Sequence, residues 1–310
     1  MNVREVLGRA GLWAGTEPAV DRAPTVASPS WWGADSQRWS LRAPAPDPVA
    51  GTAAFVKVME PHARGYVDVP AAFAAARAAG DAGIGPRVLV ADAGLGLLVM
   101  EDLTGRASTA TLDRFDDPAD VERLVALRRR VHELRGLTRR RPVFDEVRAA
   151  ARLAHGAGAA VPEDLDRMVR MLAPAEERIA ATGIDLVPCH GDGTVSNVLV
   201  TEDRLLLVDW DCAGLMDPMQ DLGVLLAELR PRDDEAREVF ELAHGSWDAA
   251  LFARARVYGV ADQLRWALVG LYADAVRPGT LDYAKFAEWQ LLRARAGLRG
   301  PGFAEHLRSL

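Results

Sequence analysis

One nine-residue string restricts this chain more than any other feature: Cys189-His190-Gly191-Asp192-Gly193-Thr194-Val195-Ser196-Asn197. Two apolar runs follow, Asn197-Val-Leu-Val and Leu205-Leu-Leu-Val208, with the turn signal Glu202-Asp203 between them. The segment therefore reads as a β-hairpin. Asp192 and Asn197 stand five residues apart on the loop entering its first strand, and Asp209 ends the second, twelve residues after Asn197. Neighbouring strands lie about 5 Å apart, so the three side chains converge on one point. Three oxygen donors without a His or Cys ligand suit a hard cation such as Mg²⁺. Each acid taken alone has a plainer reading, as an N-cap or turn carboxylate. The agreement of both spacings with the strand context favours convergence.

The rest of the chain is compatible with a soluble enzyme. It has 310 residues, 49% of them apolar. That exceeds the roughly 250–300 residues one core supports, so two lobes are expected, and it excludes a disordered chain. No uncharged apolar run approaches the roughly 20 residues of a membrane span, and the first residues carry no apolar signal core. A cytoplasmic location follows as an expectation. Cys189 and Cys212 make no disulfide framework and are read as reduced. The net charge of −7 argues against nucleic-acid binding. The 37 basic residues include only two lysines, Lys57 and Lys285, so wherever a generic cation serves this chain uses arginine. A lysine that persists points to a role arginine does not fill.

Residues 1–12 read as a short amphipathic helix, and 24–28, 38–42, 53–59, 87–91 and 97–100 as strands. In 53–59, Phe55 and Lys57 share one face, Val56 and Val58 the other. The turn-rich segment 28–36 lies between the first two strands, and an Ala-rich helix is expected over 69–79. Helices are expected over 117–136, 143–155, 163–181, 219–229, 233–243, 247–276 and 282–297. The layout is an α+β chain: a small antiparallel-sheet lobe over 1–102 and a large helical lobe over 103–310.

The string His-x-Asp-x4-Asn, a hairpin and then an Asp resembles the catalytic core of the kinase-like fold. Leu207-Val208-Asp209-Trp210-Asp211-Cys212-Ala213-Gly214-Leu215-Met216-Asp217-Pro218-Met219-Gln220-Asp221-Leu222 narrows the resemblance to the aminoglycoside phosphotransferase and choline kinase superfamily. Within it, the run is most similar to bacterial choline kinases. A weaker likeness lies in Leu264-Arg265-Trp266-Ala267-Leu268 and Asp282-Tyr283-Ala284-Lys285-Phe286-Ala287.

The resemblance implies a two-lobe protein kinase-like fold, with ATP and Mg²⁺ as cofactors. It makes Asp192 the base that orients and deprotonates the acceptor hydroxyl, Asn197 and Asp209 the Mg²⁺ ligands, and Lys57 the contact to the α- and β-phosphates. Adenine is implied at backbone groups around Met100, Glu101 and Leu103. The acid that the fold pairs with this lysine is missing from 69–79; Asp68, with Glu60 behind it, is nearest. His190 is read as fixing its loop through a backbone hydrogen bond, and Asp217 and Asp221 as caps of the helix near Pro218. Lys285 reads as a solvated charge beside Asp282.

The acceptor is less legible, because phosphoryl transfer rests on positioning and charge neutralisation. A quaternary ammonium is held by aromatic faces. Trp266 and Trp289 are the candidate walls, and Asp211 stands between a second metal, a cationic acceptor and a plain cap. Val269 occupies the position where choline kinases tend to carry a second aromatic. The leading expectation is a kinase of a small cationic hydroxyl acceptor, choline or a related amino alcohol, working as a monomer or homodimer without nucleic-acid or membrane partners. The alternatives are an antibiotic phosphotransferase and a nucleotide-binding pseudokinase.

Overall fold

A computed structural model describes residues 2–24, 27–28 and 31–310. Alternating burial builds the first unit. Strands β1 (Ala19–Arg22), β4 (Ser36–Asp47), β5 (Gly51–Met59), β6 (Val88–Asp92) and β7 (Leu97–Glu101) form one antiparallel sheet in the order β1-β4-β5-β7-β6. The short strands β2 (Ala27–Ser28) and β3 (Trp31–Trp32) pair as a separate hairpin. In β5, Val56 and Val58 join Trp39, Leu41, Leu97 and Val99 under the helix α1 (Val3–Arg9). The period of two then turns Lys57 to the opposite face, toward α2 (Val69–Asp81). The expected strand 24–28 is partly outside the described residues, which omit 25–26; its last two residues are β2. Of the expected loop 28–36, residues 29–30 also fall outside them.

The second unit is helical: α3 (Pro118–Val131), α4 (Val143–Gly156), α5 (Leu165–Thr182), α6 (Pro218–Leu229), α7 (Asp233–His244), α8 (Ala249–Val276), α9 (Tyr283–Arg299) and α10 (Pro301–Ser309). Asp117-Pro118 and Asp217-Pro218 start α3 and α6 alike: the aspartate accepts a backbone N–H of the first turn, and proline occupies the first helical position, where no donor is needed. Strands β8 (Ser108–Thr109), β10 (Val198–Val200) and β11 (Leu205–Leu207) form a small sheet, and β9 (Val187–Cys189) pairs with β12 (Gly214–Met216). One hydrophobic core runs from Phe73 and Ala76 of α2 through α3 and α4 to Leu264 and Leu268 of α8, so the two units share it.

The long α8 packs against α4, α6 and α9. Its contact with α6 is backbone to backbone. A Cβ on Gly223 would lie 2.1 Å from the Ala255 carbonyl oxygen, and one on Gly259 2.7 Å from the Gly223 oxygen. Gly223→Ala is therefore expected to cost about 1–3 kcal/mol through overpacking. Thermal unfolding checks this; an unchanged midpoint would show that the helices can separate.

The described residues contain no helix long and apolar enough to cross a membrane.

Candidate active site

The hairpin and its entry loop are held from three sides. Cys189 ends β9, and the chain then squeezes past β12 and α6. Gly191 has φ +74°, and a Cβ there would lie 2.6 Å from the Cys212 oxygen. A Cβ on Gly193 would lie 2.1 Å from the Val224 oxygen. Glycine on both sides of Asp192 thus lets the loop pass where no side chain fits. Asn197 and Val208 face each other across the hairpin, the Val208 N–H donating to the Asn197 oxygen at 2.9 Å. Asp209 follows in the left-handed region (φ 64°, ψ 69°), which Asp and Asn tolerate better than most residues.

His190 joins loop to hairpin. Its ring nitrogens lie 3.0 Å from the Val208 oxygen and 3.2 Å from the Asp192 oxygen, and its edge meets Trp210. Burial and the Arg128 cation push it below the usual histidine range, so it is neutral and donates to one carbonyl at a time.

Beneath the loop, Arg128 of α3 donates to the Asp192 carbonyl and, at 3.0 Å, to Asp221 of α6. Asp221 also accepts the Gly191 N–H at 2.8 Å. Burial would raise this carboxyl, but Arg128, His132 and the amide hold it well below the usual carboxylate range. Asp221 is therefore not a cap, contrary to expectation: it lies one turn inside α6, and its oxygens are spent on the loop. Asp217 does cap α6, through the Met219 N–H, and also accepts from Tyr258.

Lys57 meets this hairpin from the sheet. Its ammonium donates to Asp209 at 2.7 Å and to Asp211 at 2.8 Å, and the residue is only 6% exposed. Burial opposes its charge, yet the two acids raise it. Asp209 is lowered by Lys57 against its burial. Asp211 is pushed up to about 7, by burial first and then by the charges of Asp209 and Asp35, since one ammonium does not neutralise three acids. Neither Asp68 nor Glu60 reaches Lys57: Asp68 caps α2 and pairs with Arg139, while Glu60 accepts from Gln37 and pairs with Arg277. The acids beside Lys57 come from the hairpin instead.

Asp35, just after β3, accepts from the Trp32 indole at 2.6 Å and from the Tyr66 hydroxyl. Burial pushes it up to about 6.

The donor set fits a hard dication. Asp209 and Asp211 offer carboxylate oxygens, the buried Asp211 Oδ2 has no partner among the described residues, and the Asn197 carboxamide makes no hydrogen bond among them.

Beside Lys57 a narrow cleft is lined by Met100, Phe73, Pro86 and Asp209. Glu101 and Leu103 are not among its lining residues; the Glu101 N–H is spent on the Arg87 oxygen, and the Leu103 oxygen accepts from the 106 and 107 amides. Trp266 packs against Trp32 (centroids 5.9 Å apart) and Phe286 (6.1 Å), and Trp32 also meets Tyr283 at 5.6 Å. Trp289 is not brought to this group; it stands 42% exposed on α9. Lys285 pairs with Asp282 on the surface.

Sequence reasoning passed over the packing of Trp32 on α8 and α9, and also Asp35 and Arg128. Arg128 did leave a signal, a cation on the stripe formed by Val121, Leu124, Val125 and Val131.

Protein LicA of Haemophilus influenzae is 34% identical over 88 residues, 28% of this chain and 25% of that protein, so the match spans about a quarter of its length. Among solved structures, a choline/ethanolamine kinase family protein from Mesorhizobium loti superposes with a TM-score of 0.75 at 24% identity, covering 96% of this chain and 93% of that one. Choline kinase LicA from Streptococcus pneumoniae gives 0.75 at 18% identity, covering 96% and 99%. A spectinomycin phosphotransferase gives 0.58 at 13% identity, covering 100% and 99%. These likenesses show the kinase-like two-lobe fold. The model of the phosphotransferase enzyme family matches residues 28–260, and with three-quarters of its length inside that match the chain belongs to this family.

Proposed function

We propose that the protein transfers the γ-phosphoryl group of ATP, with Mg²⁺, to the hydroxyl of a small cationic metabolite, choline or a related amino alcohol. The observation that carries this reading is the Lys57 ammonium, delivered from the sheet onto Asp209 and Asp211 at the hairpin end, 2.7 and 2.8 Å away. In this reading residues 1–102 form the nucleotide-binding lobe and 103–310 the catalytic and acceptor lobe. The cleft at Met100 takes the adenine, with Glu101 and Leu103 just along the chain.

Asp192 Oδ1 is held by the Thr194 N–H at 2.8 Å, which orients the carboxylate. Its other oxygen takes the acceptor's proton as the acceptor oxygen bonds to the γ-phosphorus and the bond from that phosphorus to the bridging oxygen breaks, leaving ADP. Asn197 and Asp209 would hold Mg²⁺, with Asp211 beside them, and the bound ion supplies charge neutralisation at the phosphate oxygens. Lys57 exchanges one of its carboxylates for phosphate oxygens. His190 and Arg128 keep Asp192 in register with the hairpin.

Support for a cationic acceptor comes from the likeness to choline kinases. Near Asp192, Glu228 of α6 and Asp262 of α8 are both pushed up, by burial first and in part by the Asp192 charge, while Arg293 and Arg265 oppose the rise. Trp266 stands one turn from Asp262 on α8. The test is ADP release with Mg²⁺ across amino alcohols, sugars and aminocyclitol antibiotics. Turnover with an amino alcohol alone supports the reading, and turnover with an antibiotic alone replaces it with a resistance role.

Lys57→Arg is expected to lose roughly 10²–10³ in kcat, nearly as much as Lys57→Ala, because a planar guanidinium does not substitute for a compact ammonium between two acids. Steady-state kinetics check this. An arginine variant with wild-type kcat would remove Lys57 from the phosphate site.

A further inference from the structure

A second cavity, of about 400 Å³, shares no lining residue with the cleft at Lys57. It lies at the N-terminal end of α2, between α4 and α8. Its apolar lining includes Val67, Pro70, Leu153 and Val269, and its charged lining is Arg64, Arg139, Arg265, Asp68 and Glu146. Three guanidiniums against two carboxylates leave one net positive charge. Both acids are already engaged. Asp68 accepts the Ala71 N–H and pairs with Arg139 at 2.7 Å, and Glu146 pairs with Arg141 at 2.5 Å and Arg139 at 3.6 Å. Arg265, 6% exposed, spends Nε and Nη2 on Asp262 and Cys212, and its Nη1 has no partner among the described residues. Its guanidinium also lies over the Trp266 ring at 4.3 Å. A concave site of this size, apolar with one net positive charge on its lining, suits a small ligand.

We propose that this cavity is an effector site for a small organic anion with a short apolar body, and that its occupant acts on the nucleotide cleft by moving α2. The path is short. Val69 and Pro70 of the first turn of α2 line the cavity, while Ala72, Phe73 and Ala76 of the same helix line the cleft beside Lys57. Tyr66, also in the cavity wall, donates to Asp35 after β3. The coupling rests on the proposed nucleotide site; the cavity's charge preference does not.

Ala149 is exposed on the cavity wall, and both native cysteines are buried, so Ala149→Cys gives one accessible thiol. It would be labelled with two methanethiosulfonates of similar size, the anionic ethylsulfonate and the cationic ethyltrimethylammonium reagent. With each rate divided by that reagent's rate on free 2-mercaptoethanol, the anion is expected to react about tenfold faster, and adding Arg139→Gln should shrink that ratio. The sulfonate label should shift the Kd of a fluorescent ATP analogue by about fivefold or more. Equal labelling rates would overturn the anion site. An unchanged nucleotide Kd would overturn the coupling, and if the acceptor KM rose at the same time the cavity would belong to the acceptor instead. An unlabelled variant that binds nucleotide but phosphorylates no acceptor would count against the kinase reading and leave the cavity's charge preference standing.

Discussion

Asp192→Asn is expected to lower kcat by roughly 10²–10⁴ while the fold survives, because the loop does not depend on the carboxylate's charge. The side chain's one hydrogen bond is from the Thr194 N–H, which an amide oxygen accepts equally well. Arg128 grips the backbone carbonyl of Asp192, which the substitution leaves in place. The change in stability should stay within about 0.5 kcal/mol, and binding of a fluorescent ATP analogue should be retained. ADP release, thermal unfolding and nucleotide titration together check this. A variant keeping more than about a tenth of wild-type turnover would place the proton acceptor elsewhere, since general-base catalysis is worth more than that.

The second large effect falls on stability. Asp221→Ala leaves the Arg128 guanidinium buried beside the uncapped Gly191 N–H, and removing one partner of a buried pair costs about 3–5 kcal/mol. The double replacement Arg128→Met with Asp221→Leu should recover much of that, because no charge is then stranded, yet turnover should stay low because the loop has lost its anchor. Denaturant unfolding and ADP release separate the two effects. A double variant with full activity would show that the pair stabilises the fold without positioning Asp192.

Acidity gives a further check. The folded carboxyl of Asp221 lies well below its ordinary 3.8, so the unfolded chain takes up this proton first. The stability it contributes is complete above the ordinary value and fades as pH falls toward the folded one. The gap in unfolding free energy between wild type and Asp221→Asn should therefore narrow below about pH 4. A gap independent of pH would mean that Asp221 is not ionised in the fold.

Helices with a clear 3.6-residue stripe were legible in the sequence. Those expected over 143–155, 163–181 and 233–243 match α4, α5 and α7 within two residues at either end. The hairpin of β10 and β11 was legible because two apolar runs flank a turn. Strands β1, β8, β9 and β12 were not, since runs of two to four residues carry no usable period; their partners, supplied by the fold, define them. The acids beside Lys57 were hidden for a related reason. The expected partner was local, on or near the first helix, whereas Asp209 and Asp211 lie 152 and 154 residues away and meet Lys57 only once the sheet docks on the hairpin. Asp35 and Trp32 sit in a segment with no pattern, so nothing short of coordinates joins Asp35 to Tyr66 or Trp32 to α8 and α9.

The glycine contact between α6 and α8 has a consequence for how such an enzyme changes substrate. With main chains touching at Gly223 and Gly259, the two helices do not slide, and the wall bearing Glu228, Asp262 and Trp266 behaves as a fixed anvil. In the proposed reading, adjustment to a new acceptor comes from exchanging the side chains mounted on that wall, and the motion that admits and releases nucleotide is left to the sheet half. Selection can retune one half chemically without disturbing the mechanics of the other.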